Sequence, residues 1–215
     1  MVLRIVMLLL FGNVLGAQVV RQFHVEYRKG ATGVYAAFLV NRYKAAATAY
    51  IAQATYRLEG KQQPAAWGGD SYSYPDGGTE IPAGFESESN SLPAGAQPLT
   101  SGVIAVVYAD GFSEGDENVV QMLLAGRRRT VTDLNRLLPQ LEKATDQAAL
   151  VKIGAAMRAA DVAEAAKLDE LITVPGVKHQ YFMTAVPAWL VRDKDPKVET
   201  YRRWLVNVMG SKPAL

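Results

Sequence analysis

The chain has 215 residues, of which 49% are hydrophobic, with a net charge of +2 and no cysteine. This length allows one ordinary domain, or one domain with a long tail, and the hydrophobic content argues against a chain that is disordered throughout. The lack of cysteine excludes disulfide bonds, thiolate metal sites and a cysteine nucleophile. The small net charge gives no indication of nucleic-acid binding.

The charge is unevenly distributed along the sequence. Residues 1–57 carry a net charge of +6, residues 58–126 carry −9 and residues 127–215 carry +5. An acidic middle between two basic parts can form ion pairs within one chain or between copies of it. Solvated faces of uneven charge explain the same distribution equally well.

The N-terminal segment Val2–Val20 contains a single charged residue, Arg4, and is long enough to cross a lipid bilayer. Three interpretations fit this segment. It is a secretory signal cleaved after Gly16 or Ala17, a retained membrane helix with its C-terminal side in the cytoplasm, or the packed stalk of a filament subunit. Gly12 and Gly16 form a small-xxx-small pair, which suits close helix contacts in the last two cases.

The segment from Val34 to about Leu58 predicts a long amphipathic helix. Its apolar positions follow helical spacing, with the basic residues off the stripe. The stripe consists of Tyr35, Leu39, Tyr43, Ala46 and Tyr50. Gly30 and Gly33 are expected to loosen or break the connection to the apolar segment. His24 has no second ligand nearby and is interpreted as an ordinary surface or packing residue.

Residues 60–100 contain five prolines and repeated glycines, which predict a long loop rather than regular structure. Loops of this length in a small domain are usually functional or wrap the surface. The aromatic residues of the loop are expected to anchor it to the domain, or alternatively to form an exposed recognition loop. These residues are Trp67, Tyr72, Tyr74 and Phe85.

Residues 101–108 and 119–126 read as two antiparallel strands joined by an acidic turn. Four carboxylates of this turn region are candidates for a calcium site, but their spacing does not fit a calcium-binding helix–loop–helix motif, and ordinary turn chemistry is favoured. The four are Asp110, Glu114, Asp116 and Glu117.

The remaining chain predicts helices and one returning strand. A helix starts at Thr130 or Thr132, with a leucine face formed by Leu134, Leu137, Leu138 and Leu141. Two more helices start near Asp146 and Asp161, and a strand follows around residues 179–191. The triplet Arg127–Arg129 is expected to face the acidic middle of the chain, with phosphate or lipid headgroups as an alternative ligand.

No catalytic motif occurs in the sequence. His24 and His179 lie far apart, and there is no nucleophile elbow, phosphate-binding loop, dinucleotide glycine motif or zinc-protease motif. The sequence therefore predicts no catalytic, cofactor-binding or metal-binding residues, and no enzyme activity.

Four segments resemble type IV pilins, and among them the N-terminal domain of the minor pilins of type IVb thin pili, which can carry shufflon-variable tips. The segments are IVMLLLFGNVLG, FLVNRYKAAATAYIAQATYRLEG, IPAGF at 81–85, and SGVIAVVY with VVQMLLAG. The resemblance implies an α+β fold in which a long N-terminal hydrophobic and amphipathic helix packs on a small antiparallel sheet with additional helices. It divides the chain into residues 1–58, which form this helix, and a globular head, residues 59–215.

By this resemblance the protein is a structural subunit or a minor tip component of a cell-surface filament. Its partners are then copies of itself or other filament subunits, bound through residues 1–58, with no nucleic acid. It would reside in the inner membrane before assembly and in an extracellular filament afterwards.

Two other functions stay open. One is a secreted or periplasmic binding protein from which about residues 1–16 are removed. The other is a membrane-anchored accessory subunit of a larger complex. Mass spectrometry of the native N terminus would separate a cleaved from a retained apolar segment.

Overall fold

A computed structural model describes residues 20–73 and 80–144, and scattered positions in 146–163 and 198–206. The described elements are seven β-strands, a short 3-10 helix at Ser71–Ser73 and a long α-helix. The strands are β1 (Phe23–Lys29), β2 (Tyr35–Asn41), β3 (Ala47–Leu58), β4 (Lys61–Asp70), β5 (Glu86–Ser91), β6 (Gln97–Tyr108) and β7 (Ser113–Gly115), and the helix is α1 (Glu117–Leu141).

The strands form two antiparallel sheets that pack face to face. The first sheet has the order β1-β2-β5 and the second has the order β4-β3-β6-β7. Side chains from both sheets fill the space between them, including Phe23 and Leu39 from the first and Tyr50 and Val106 from the second. The Phe23 and Tyr50 rings lie 5.7 Å apart. Burial of this apolar surface is the main force that holds the two sheets together.

Helix α1 covers the opposite face of the second sheet and makes a third layer. Its buried residues Val119 and Leu123 pack against Ile51 of β3 and Val107 of β6. The helix begins with Asp116 as its N-cap, whose carboxylate accepts a hydrogen bond from the Val119 amide at 3.1 Å. The central part of the second sheet, around Ile51 and Val107, is therefore buried on both of its faces.

The predicted α+β fold with a long N-terminal helix is wrong. Residues 34–58 form β2 and β3 rather than a helix, and the tyrosine stripe is split between two strands and the turn that joins them. In β3 the residues Ala47–Ala52 are all buried, because alternate side chains face the other sheet and helix α1. A strand buried on both faces shows a continuous apolar run, and alanines within it allow close packing; the same run also fits a helix.

The predicted loop over residues 60–100 is also wrong in large part, since β4, β5 and the start of β6 lie within it. Pro64 lies in β4, an edge strand of the second sheet, where a missing backbone N–H leaves no ladder bond unmade. Trp67 of β4 anchors the sheets to each other, since its ring nitrogen donates to the Ser89 hydroxyl of β5 at 3.1 Å.

The strand predicted at 101–108 is confirmed as part of β6, but the second strand of that hairpin is wrong. Residues 119–126 lie in helix α1, which begins at Glu117 and continues through the arginine triplet without a new start at Thr130. Of the predicted leucine face, Leu134, Leu137 and Leu141 are buried.

The boundary predicted between residues 58 and 59 falls at the turn that joins β3 to β4. Among the described residues, no helix combines the length and apolar character needed to cross a membrane. Gly12, Gly16, Tyr74, His179 and the strand predicted around 179–191 lie outside the described residues.

Candidate functional site

The side of the first sheet that faces away from the core carries a mixed set of charged and apolar side chains, here called the outer face. Successive residues of a strand point to opposite faces, so the residues that alternate with core-facing Phe23 and Val25 in β1 lie on it. The outer face consists of His24, Glu26 and Arg28 of β1, Phe38 of β2, and Glu86 and Glu88 of β5.

Arg28 connects all three strands of this sheet. Its guanidinium lies over the Phe38 ring of the central strand, with Cζ 4.5 Å from the ring centroid. The same group donates to Glu26 at 2.9 Å and to Glu86 Oε2 at 2.7 Å, with a further hydrogen bond to Glu86 Oε1. A planar guanidinium suits both bidentate carboxylate binding and stacking on an aromatic ring.

These contacts lower the pKa of both carboxyl groups. Hydrogen bonds from Arg28 and then His24 lower the pKa of Glu26, and the hydrogen bonds from Arg28 lower the pKa of Glu86. A lowered pKa in the folded state stabilises the protein above the ordinary pKa, and this contribution is lost as the pH falls through the lowered value. The contribution is small here because the groups are exposed to solvent.

Replacing Arg28 with glutamine is expected to raise the pKa of Glu86, because the hydrogen bonds and the charge that lower it are lost. Carboxyl carbon chemical shifts followed by NMR during an acid titration measure this change. Lys29→Gln is the matched control, because Lys29 makes no contact with Glu86 that shifts this pKa. An unchanged Glu86 pKa in Arg28→Gln would contradict the ion-pair geometry.

A cleft of about 500 Å³ opens on the outer face, beside the turn between β1 and β2. Two cationic side chains, Arg28 and Lys29, border it, and a single carboxylate, Glu88, lies in its lining. The remaining lining residues are small, hydroxyl-bearing or apolar: Gly30, Thr32, Val34, Ala36, Phe38 and Ser91. The cleft therefore combines apolar side chains with Lys29 and with an Arg28 that is already paired with Glu26 and Glu86.

The arginine triplet does not form a phosphate site at Arg127. This side chain is only 1% exposed and donates through Nε to both carboxylate oxygens of Asp70, at 3.0 and 3.2 Å. It also donates to the Thr48 hydroxyl at 2.8 Å and lies over the Tyr72 ring at 4.1 Å. The predicted pairing with the acidic middle of the chain is thus present at Arg127, but it is buried rather than solvated.

The four acidic residues considered for calcium have separate structural roles. Asp110 accepts from the Tyr43 hydroxyl at 3.1 Å, and buried Glu114 accepts from the Tyr108 hydroxyl at 3.3 Å. Asp116 caps helix α1, and Glu117 is in its first turn. Across the part of the chain that the structure describes, no three His, Asp or Glu side chains are grouped to hold a metal ion.

The sequence pattern did not reveal the outer face, because its charged residues come from strands that are distant in the sequence. The sequence indicates no partner for His24, whereas in the structure its ring nitrogen Nε2 lies 3.0 Å from Glu26 Oε1. The alternation His24-x-Glu26-x-Arg28 is the signal that would have placed the three residues on one face of a strand. Nothing local indicates that Glu86 joins them.

No known protein family, curated protein or solved structure was found to match the chain. Its class therefore rests on the fold and the site. The described residues form a β-sandwich with a helix over one sheet and a ligand-sized cleft on the outer face of the other.

Proposed function

We propose that the protein is a noncatalytic binding protein, whose outer-face cleft takes up a small ligand with one carboxylate and an apolar group. The observation that carries this proposal is the cleft lining, in which Lys29 lies beside the apolar residues Val34 and Phe38. Clefts of roughly 300 to 1,000 Å³ that hold a few polar groups beside apolar side chains are typical of small-molecule sites.

Different residues of the lining would contact the carboxylate and the apolar group of such a ligand. Lys29 presents an ammonium group at the rim, and its Nζ lies 5.8 Å from the Tyr35 ring centroid. The Phe38 ring, already covered on one side by Arg28, offers an apolar surface to the rest of the ligand. Glu88 disfavours a second negative charge on the ligand, since like charges repel in a confined site.

N-Acetyl-L-phenylalanine and its uncharged amide are a matched pair of probes for this site. Titration of the isotope-labelled full chain, followed by amide NMR shifts, is expected to show saturable changes at residues 28–38 with the acid. The affinity for the amide is expected to be lower by roughly fivefold, the value of one exposed ion pair.

Lys29→Gln should remove this preference for the acid, whereas Lys44→Gln should leave it intact. Lys44 is the matched control because it is an exposed lysine with a side chain 77% accessible, placed at the other end of the sandwich. If neither probe shifts residues 28–38, or if acid and amide bind alike, the proposed ligand class is wrong.

The filament function remains a prediction with less support. The amphipathic helix at 34–58 that it used is replaced by strands, and residues 1–19 lie outside the described residues. A binding protein needs no such helix.

A further inference from the structure

Four chain segments meet at one end of the sandwich, here called the loop end: residues 20–22, 42–46, 80–85 and 109–112. Backbone hydrogen bonds join them, from the Arg42 amide to the Gln22 carbonyl at 2.7 Å and from the Ala109 amide to the Ala46 carbonyl at 2.8 Å. The buried side chain of Asn41 donates to the carbonyls of Ala45 and Ile81, at 2.9 and 2.8 Å. Hydrogen bonds therefore hold the segments of the loop end together in one surface.

Two phenylalanines of this surface are exposed to solvent. Phe85 is 64% exposed and Phe112 is 40% exposed. Phe112 stacks on the Tyr43 ring at 5.1 Å, and Tyr43 lies 4.2 Å from buried Tyr108. One side of the Phe112 ring thus packs on Tyr43, while the rest of the ring is exposed to water. Burial of this exposed apolar surface against another surface would be favourable.

Charged groups of both signs surround these rings. Arg21, Arg42 and Lys44 are all exposed. Of the carboxylates, Asp110 lies 3.6 Å from Lys44 Nζ, and Glu114 is 7% exposed and accepts from the Gln22 amide at 3.3 Å. Glu80 is an exposed carboxylate of the same end. Exposed aromatic rings beside charged side chains suit the headgroup region of a phospholipid membrane.

The chain also enters the sandwich at the loop end. Strand β1 begins at Phe23, which pairs with Asn41, and Val20 packs against the core between the sheets. The apolar segment Val2–Val20 directly precedes this point in the sequence. We propose that the loop end lies against a phospholipid surface, with Phe85 and Phe112 inserted among the headgroups. The outer-face cleft, beside the β1–β2 turn at the opposite end, then stays open to water.

The absence of cysteine allows clean single-site spin labelling of the full chain. Ala109→Cys places a nitroxide on the loop end, and Ala31→Cys places one on the exposed β1–β2 turn as the matched control. In vesicles of phosphatidylcholine and phosphatidylglycerol, the label at 109 should gain accessibility to oxygen and lose accessibility to a nickel complex. The label at 31 should keep the accessibility it has in water.

A different labelling result is expected if the sandwich does not touch the membrane and is only tethered to it. If Val2–Val20 alone holds the protein at the vesicle, the label at 109 stays as accessible to the nickel complex as the label at 31, and the proposal is wrong. Protection of position 109 without vesicles would also overturn it, because contact between protein copies would then cover the loop end.

Replacing both Phe85 and Phe112 with serine tests the insertion itself. In the Ala109→Cys protein this double change is expected to return the label to water. Because the change also removes the stacking of Phe112 on Tyr43, circular dichroism checks that the double variant is folded. A label that stays protected in the double variant would show that the rings do not insert.

Discussion

Replacing Arg127 with methionine is expected to lower the free energy of unfolding by about 3–5 kcal/mol, because the change leaves the Asp70 carboxylate buried without its cation. Arg127 and Asp70 are both enclosed between helix α1 and the end of the second sheet. Burial raises the pKa of Asp70, and the ion pair with Arg127 opposes that increase. Urea unfolding followed by circular dichroism measures the loss.

The matched control is Arg128→Met, one residue along the same helix at an exposed position. This change is expected to alter stability by less than about 0.5 kcal/mol. The double variant Arg127→Met with Asp70→Asn should lose less stability than Arg127→Met alone. Asparagine carries no charge and keeps the oxygen that accepts from the Tyr72 amide at 3.0 Å. Equal losses in Arg127→Met and Arg128→Met would show that the buried ion pair does not stabilise the fold.

Replacing Gly115 with alanine is expected to destabilise the protein by about 3 kcal/mol. Gly115 has a φ of +110°, a conformation that side chains rarely adopt. An added Cβ would lie 2.7 Å from the Ala105 Cα and still closer to the Ile104 carbonyl oxygen. The same carbonyl accepts a hydrogen bond from the Asp116 amide at 2.9 Å, immediately before helix α1.

Gly102→Ala in the neighbouring strand β6 is the control for this glycine. A Cβ at Gly102 would meet no atom within 4 Å, and the change is expected to be neutral or stabilising by up to about 1 kcal/mol. Thermal unfolding of the two variants compares them directly. If Gly115→Ala unfolds at the same temperature as Gly102→Ala, β7 tolerates a side chain at its close approach to β6.

The short-range parts of the fold were predictable from the sequence. Strand β6 follows from the β-branched run that ends at Tyr108, and the leucine spacing of 134, 137 and 141 gave the helix face correctly. The start of helix α1 was missed, although Asp116 stands at the N-cap position before a run with helical spacing. The valines and leucines that follow Asp116 fit a strand as well as a helix, so the N-cap position alone did not decide between them.

The candidate site was less predictable, because its partners are far apart in the chain. Arg28 and Glu86 are separated by 58 positions, and Arg127 and Asp70 by 57. The spacing of residues within one element cannot predict ion pairs between residues so far apart in the sequence. They depend on which strands become neighbours, and strand order is set by the packing of the whole sheet.

The sequence by itself determined the apolar N-terminal segment, the uneven charge, the absence of cysteine and the strong local elements. Only the tertiary structure decided that residues 34–58 are strands. Their alanines and tyrosines fit a helix as well as a sheet, and intrinsic propensity differs by less than about 1 kcal/mol per residue. Strand β3 pairs with β4 and β6 at once and is packed on both faces, and those long-range contacts outweigh the local preference.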